Sequence, residues 1–243
     1  MKININPLTY LLLLTIFFCG RFNYFYIITI ILFIHDLGHI IMMLLNKIKI
    51  SNIDILPFGS IISSDIKYNE NSNTLFLISI SGILMQLLLY IVFYIIYTKG
   101  FISLNNYNIF LFYNKLIILF NLIPIIPLDG SKIINSLLER IIPFKLSKYL
   151  TITISLIICF LIGIIGIKSY NLFIILIFLF SKNYEELLSI NFIYYRFLLE
   201  RYLNKYNFKR IKNVNNINYL YKNRLNFINN ESEYKLLEKI FKK

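Results

Sequence analysis

Charge is scarce in this sequence: Asp, Glu, Lys and Arg make up 15% of its 243 residues, against 58% hydrophobic, and the mean hydropathy is +0.67. That excludes an ordinary soluble domain, in which about a quarter of residues are charged and about half apolar; an apolar excess of this size has to be covered by lipid. Cysteine is nearly missing as well. Cys19 and Cys159 each stand alone inside an apolar run, which excludes a disulfide framework and a thiolate zinc site. Tryptophan and alanine are absent altogether, a compositional drift that carries no mechanistic weight. Histidine is reduced to two residues, so a metal site with more than two protein ligands must draw on carboxylates.

Acidic residues are half as many as basic ones, 12 against 25, which gives a net charge of +13. Over half of the basic residues sit in one tail: Lys182 to Lys243 holds 13 basic and 6 acidic residues. Such a segment suits the surface of an anionic leaflet; nucleic acid is the weaker alternative, since no recognisable binding motif accompanies the charge.

Long apolar runs, by contrast, are abundant. Runs at Tyr24 to Leu45, Thr74 to Tyr97, Ile109 to Ile126 and Leu150 to Ile167 reach the roughly 17–20 residues that a bilayer crossing needs. Two shorter ones, Leu8 to Cys19 and Tyr170 to Phe180, complete a six-span expectation. The first is no cleaved leader by its pattern, because small residues at a cleavage site are missing and the next run comes at once. With the N-terminus in the cytoplasm, 21 basic residues fall on the cytoplasmic side and three (Arg21, Lys99, Lys168) outside. Both termini are therefore expected in the cytoplasm. Lys115 lies inside a span and can snorkel to its edge.

Two segments break the helical pattern. Ile48 to Asp65 alternates β-branched residues around Pro57-Phe58-Gly59 and reads as a short cytoplasmic β-hairpin. Asn121 to Gly130 (NLIPIIPLDG) carries Pro124 and Pro127, which cannot continue a regular helix, and broken backbone at membrane depth requires protein or a water-filled cavity around it.

The two histidines are His35 and His39, four apart in one span, so both imidazoles share a helix face and can bind one metal ion. The plainer alternative is a buried pair that hydrogen-bonds across helices, but polar groups at this depth are costly and usually functional. Asp36 comes directly after the first histidine. At a helix centre in lipid it costs about 2.5–3.5 kcal/mol on insertion scales and calls for compensation by a metal, a water or a donor. In the His-Glu-x-x-His arrangement the acidic residue leaves the metal alone and shuttles the proton of the attacking water to the leaving amine; Asp36 can do the same with a carboxylate one methylene shorter. A catalytic zinc wants three protein ligands and one open position, and with no histidine left a carboxylate must be the third. Asp129, expected at the end of a span in backbone loosened by the prolines, is the candidate, although Pro-Leu-Asp-Gly is also an ordinary turn. His39 lies roughly 10 Å inside the cytoplasmic end of its helix, at 1.5 Å per residue, which puts both in the same half of the bilayer. Asn121, two turns earlier, either bonds a neighbouring helix or binds a substrate carbonyl.

In this order, HDLGH, LPFGS, SGILMQ and then NLIPIIPLDG, with RFLLERY after them at Arg196 to Tyr202, the sequence resembles the site-2 protease family of intramembrane zinc metalloproteases, and most closely its sporulation branch. The resemblance implies one zinc held by His35, His39 and Asp129, Asp36 in the place of the family's catalytic Glu, and Asn121 where substrate is contacted. It also implies a sporulation sigma-factor precursor as substrate and a bacterial cell membrane as location. The sequence departs from the pattern at Asp36, at Ser60 for a second Gly, at Ser81-Gly82-Ile83 for Ala-Gly-Pro, and at Ser131. The branch carries a cytoplasmic nucleotide-sensing domain of the cystathionine β-synthase type; the stretch after Tyr202 is too short and too Asn- and Lys-rich to build it whole.

The expectation is thus an all-α polytopic membrane protein with about six transmembrane helices, a short cytoplasmic β-hairpin and a short helical tail. Residues 1–183 form the protease-like membrane domain; 184–243 form the basic tail, with an amphipathic helix from about Tyr184 to Tyr206 lying on the membrane or a partner. Expected partners are membrane lipid, a membrane-associated protein substrate and regulatory membrane proteins, without nucleic acid. Two other functions compete with the protease. One is a zinc-binding pseudoprotease that scaffolds membrane partners after the Glu to Asp change. The other is a metal transporter, which would need ligands strung along a path, whereas every strong ligand here falls in one cluster.

Overall fold

The structure is a computed structural model, and it describes residues 2–5, 9, 20, 22–56, 59–165, 170–204, 206–228 and 231–242. Its elements in chain order are β1 (Lys2–Ile5), α1 (Phe22–Leu45), β2 (Ile50–Leu56), β3 (Gly59–Ser64), α2 (Ser72–Thr98), α3 (Leu104–Leu122), α4 (Asp129–Ile141), α5 (Phe144–Ile165), α6 (Tyr170–Asn204), β4 (Ile211–Val214), a 3-10 turn (Ile217–Tyr219), β5 (Leu225–Ile228), β6 (Glu231–Ser232) and α7 (Glu233–Phe241). They divide into two units. The first comprises Met1–Ile66 and Leu77–Asn121, the second Lys67–Phe76 and Leu122–Lys243.

Among the described residues, α1, α2 and α5 are long and apolar enough to cross a membrane. The expected run Ile109 to Ile126 is cut short, because α3 stops at Leu122 ahead of Pro124 and holds Asn105, Asn106, Asn108, Asn114 and Lys115 within it. Tyr170 to Phe180 is the first third of α6, while Leu8 to Cys19 lies, but for Thr9, outside the described residues.

In the first unit, α1, α2 and α3 pack through Ile27 and Ile31, Leu89 and Phe93, and Ile109 and Phe110. The Phe93 and Phe110 rings stack at 3.8 Å. α1 and α2 come close because Gly38 stands at their contact: a Cβ there would lie 2.5 Å from the Ser81 carbonyl oxygen and 2.8 Å from Met85 Cγ. Small residues at crossings serve this purpose where lipid provides no hydrophobic drive between helices. β2 and β3 form an antiparallel hairpin with Ile53 opposite Ile62 and Leu56 opposite Gly59. A third strand, β1, adds to it in parallel, Lys2 beside Asn52 and Ile5 beside Ile55, which the local pattern did not announce. The base of the hairpin rests on α1, with Met43, Ile48 and Ile78 buried together.

In the second unit the broken segment after α3 satisfies its own backbone. The Ile125 amide donates to the Ile123 carbonyl at 2.8 Å, Leu128 to Ile125 at 2.7 Å, and Ile126 to Ser155 Oγ on α5 at 2.9 Å. Asp129, expected to end a helix, instead begins one: the prolines stop α3, and the chain restarts as α4 with Asp129 as its first residue.

The tail differs from the expected helical anchor. α6 runs unbroken to Asn204, so the amphipathic stretch from Tyr184 is its second half, and beyond it lies a three-stranded sheet, β4 parallel to β5 and β5 antiparallel to β6, closed by α7. Phe144, Tyr194, Phe197, Leu198, Val214, Leu220, Ile228 and Leu237 make its core. Burial pushes the Tyr194 hydroxyl well above its ordinary range, keeping it a donor to the Ile217 carbonyl. Two buried ion pairs hold this arrangement. Arg201 donates to both carboxylate oxygens of Glu233 (2.9 and 3.1 Å) and to the Asn69 amide oxygen at 3.2 Å. Lys222 donates to Glu139 of α4 at 2.8 Å, each side chain 1% exposed. Charge that looked like a solvated run is in part the interior of a small domain.

A buried pair broken on one side leaves the other charge stranded. Lys222→Met is therefore expected to destabilise the second unit by about 3–5 kcal/mol, and Lys222→Met with Glu139→Gln by distinctly less. Thermal unfolding of the purified chain in detergent checks this, and a double variant no more stable than the single would refute it.

Candidate metal centre

His35 and His39 lie on the buried face of α1, one turn apart, and α2 supplies the groups that surround them. His39 Nδ1 is 2.7 Å from the backbone carbonyl oxygen of Ile78. A carbonyl oxygen only accepts, so Nδ1 carries the hydrogen. His35 Nδ1 is 2.9 Å from Gln86 Oε1, and donates in the same way. In two neutral rings with hydrogen on Nδ1, both Nε2 atoms present lone pairs, and these lie 3.1 Å apart. Two lone pairs so close need a cation between them, a proton or a metal ion. The spacing is close to that of two nitrogens bound to one zinc at about 2.0–2.1 Å each.

The backbone of α2 is shaped to the same site. A Cβ on Gly82 would stand 2.6 Å from His35 Cε1, 2.8 Å from His35 Nε2 and 2.7 Å from His39 Nε2, so only glycine leaves room for the pair. Ser81 donates its hydroxyl to the Ile78 carbonyl at 2.7 Å, bracing the acceptor that holds His39.

In the second unit Asp129 is buried at the N-terminus of α4, where the helix dipole favours an anion, and it accepts from Lys132 at 2.9 Å. His35 and His39 thus offer two buried imidazoles in the first unit, and Asp129 offers a buried carboxylate in the second. Two imidazoles and a carboxylate are a donor set that suits zinc. Asp36 is half-buried directly after His35; Asn121 is half-buried on the last turn of α3; Lys115 is exposed.

Gln86 and Asn114, both fully buried, are the functional candidates that the sequence reading missed. The signal was available: Gln86 is the only glutamine in the chain and stands in the middle of an apolar run.

Comparisons with known proteins place the chain among relatives of related kind. Residues 23–105 match the model of peptidase family M50. The chain is 28% identical to stage IV sporulation protein FB of Bacillus subtilis, over 84% of its own length and 73% of that protein's. It is also 28% identical to a zinc metalloprotease of Methanocaldococcus jannaschii, over 60% of its own length, and it spans less than half (43%) of that relative. Its fold is similar to that of the solved site-2 protease from Methanocaldococcus jannaschii, with a TM-score of 0.57 at 23% identity, covering 76% of this chain and 89% of that one. The family model and the two relatives bear out the resemblance read from the motifs, and the solved structure shares the fold.

Gly82→Ala pushes a methyl group into the imidazole pair and is expected to weaken zinc binding at least about tenfold, on the scale of disturbed ligand surroundings. Chelator competition on the purified chain measures it; unchanged zinc affinity would mean that the imidazoles do not need that space.

Proposed function

We propose that this chain, a zinc metalloprotease related to peptidase family M50, is an intramembrane endopeptidase that holds one zinc through His35, His39 and Asp129. It cuts a membrane-associated protein near the cytoplasmic face of the bilayer. The observation that carries the reading is the convergence of the two Nε2 atoms at 3.1 Å with both Nδ1 atoms committed to acceptors.

Zinc, when bound, supplies Lewis-acid polarisation and a lowered pKa for water. The chain's own residues supply the rest. Asp36, beside His35 on α1, accepts the proton of the attacking water and returns it to the leaving amine. The Asn121 amide donates to the oxygen of the scissile carbonyl. A helical substrate has to unwind before its backbone is reached, and β3, which among the described residues pairs with β2 alone, has an edge at which an extended segment can pair. The lopsided distribution of basic residues supports a multi-pass arrangement in a bacterial membrane with both termini cytoplasmic. As substrate we assign a sporulation sigma-factor precursor, on the likeness to a stage IV sporulation protein. Residues 184–243 are assigned to a cytoplasmic tail that regulatory membrane proteins can reach.

One observation favours a second reading. Asp36 has the shorter carboxylate, and a chain that kept zinc but lost proton transfer would be a scaffold for membrane partners. Cleavage of a membrane-anchored substrate by the reconstituted, zinc-quantified chain separates the two. Asp36→Asn is expected to keep zinc while cleavage falls by about 10²–10⁴-fold, the usual worth of a general base. Retained cleavage would remove Asp36 from the mechanism; an inactive wild type beside an active Asp36→Glu would establish the scaffold.

A further inference from the structure

The side chains behind His35 form a hydrogen-bonded chain with a direction, and we propose that Gln86 and Asn114 are positioning residues that decide which nitrogen of His35 is offered to the metal. This rests on the reading of His35 as a zinc ligand. The direction is anchored by a group that cannot be reversed. Asn114 Nδ2 donates to the backbone carbonyl of Gln86 at 3.1 Å, which assigns the Asn114 amide because a carbonyl oxygen only accepts. Its Oδ1 is then the atom that accepts from Gln86 Nε2 at 3.3 Å. That orients the Gln86 amide in turn and places Oε1, not the NH2 group, 2.9 Å from His35 Nδ1. An oxygen there demands hydrogen on Nδ1, and Nε2 becomes the ligand nitrogen.

The asymmetry between the two histidines explains why such a device is built for one of them. His39 Nδ1 faces the Ile78 backbone carbonyl, whose polarity is fixed. His35 Nδ1 faces a side-chain amide, which can turn end for end. A turned amide would present N–H to Nδ1, drive the hydrogen onto Nε2 and aim it at His39 Nε2, 3.1 Å away. Asn114 prevents the turn. Both amides are fully buried, where an unmatched polar group is costly, so the orientation that sets N–H against oxygen at all three contacts is strongly preferred.

The test uses the full purified chain, stripped of metal and titrated with zinc against a chelator, and with cobalt(II) for its visible absorption as a report on the ligand field. Gln86→Met, similar in shape but with no acceptor oxygen, is expected to bind zinc about 10–100-fold more weakly and to shift the cobalt spectrum. Gln86→Glu can only accept at the same place and should restore most of the affinity and the wild-type spectrum; Asn114→Leu, which lets the amide turn, should fall between. Wild-type affinity and spectrum in Gln86→Met would overturn the proposal, as would a Gln86→Glu variant as weak as Gln86→Met, which would make Gln86 a packing residue. His35→Ala separates the premise from the inference. If that variant kept its zinc, the ligand assignment would fall and take the proposal with it, whereas lost zinc in His35→Ala with no effect at Gln86 refutes the positioning role alone.

Discussion

Hydrocarbon offers no hydrogen bonds, and that one constraint orders most of the features seen in this chain. A polar group at membrane depth must find its partner in protein, so each one marks a place where helices meet or backbone folds on itself. His35, Gln86 and Asn114 bond in series across α1, α2 and α3. His39 reaches the backbone of α2 instead. The interrupted segment between α3 and α4 closes its amides on neighbouring carbonyls and on Ser155. A feature that would be incidental in a water-soluble protein is here part of the reason for the fold.

Close packing is the second requirement, and it is met by subtraction. Gly38 and Gly82 both stand where α1 meets α2, and a methyl group on either would strike the other helix or the imidazoles themselves. The absence of side chains there lets α2 come near enough for its Ile78 carbonyl and Gln86 amide to reach the two rings. Farther along α2 the residues are large, and Phe93 stacks on Phe110 of α3. The change from small to large residues thus fixes where the polar chain can form and where only apolar contact is possible.

Much of this was legible because its signals are local. Spacing by four on a helix face identifies His35 and His39 as a pair, and run length identifies α1, α2 and α5. Alternation around a Pro-Phe-Gly turn anticipates the pairing of β2 with β3. The features that stayed hidden depend on residues far apart in the chain. β1 joins the hairpin from a distant part of the sequence, Lys2 beside Asn52. The tail reads as a basic, solvated run because composition cannot show that Arg201 meets Glu233 or that Lys222 meets Glu139. Asp129 was singled out as a candidate by elimination, but its place at the start of a helix was not foreseen, since two prolines announce a break without saying which side of it is helical. Gln86 is a subtler case: the lone glutamine of the chain is in plain view within SGILMQ, but its role appears only when His35 is brought against it.

The inventory of charge gives a reason for the proposed choice of ligands. Two neutral imidazoles with hydrogen on Nδ1 bring no charge to a bound zinc, so its two positive charges have to be met by the carboxylates around it. The span-resident Asp36 and the proposed ligand Asp129 supply two negative charges between them, which match those of the ion; Lys132, 2.9 Å from Asp129, is largely exposed and screened by solvent. A third histidine in place of Asp129 would leave one net positive charge at a depth where insertion of a single charge costs about 2.5–3.5 kcal/mol. Acceptance of a proton by Asp36 would then carry charge rather than create it, since the proton comes from a water that becomes negative as Asp36 becomes neutral. Asp36 is the one acidic residue within the apolar runs of the sequence, in keeping with that balance: a carboxylate is tolerated at membrane depth where a cation or a moving proton requires it.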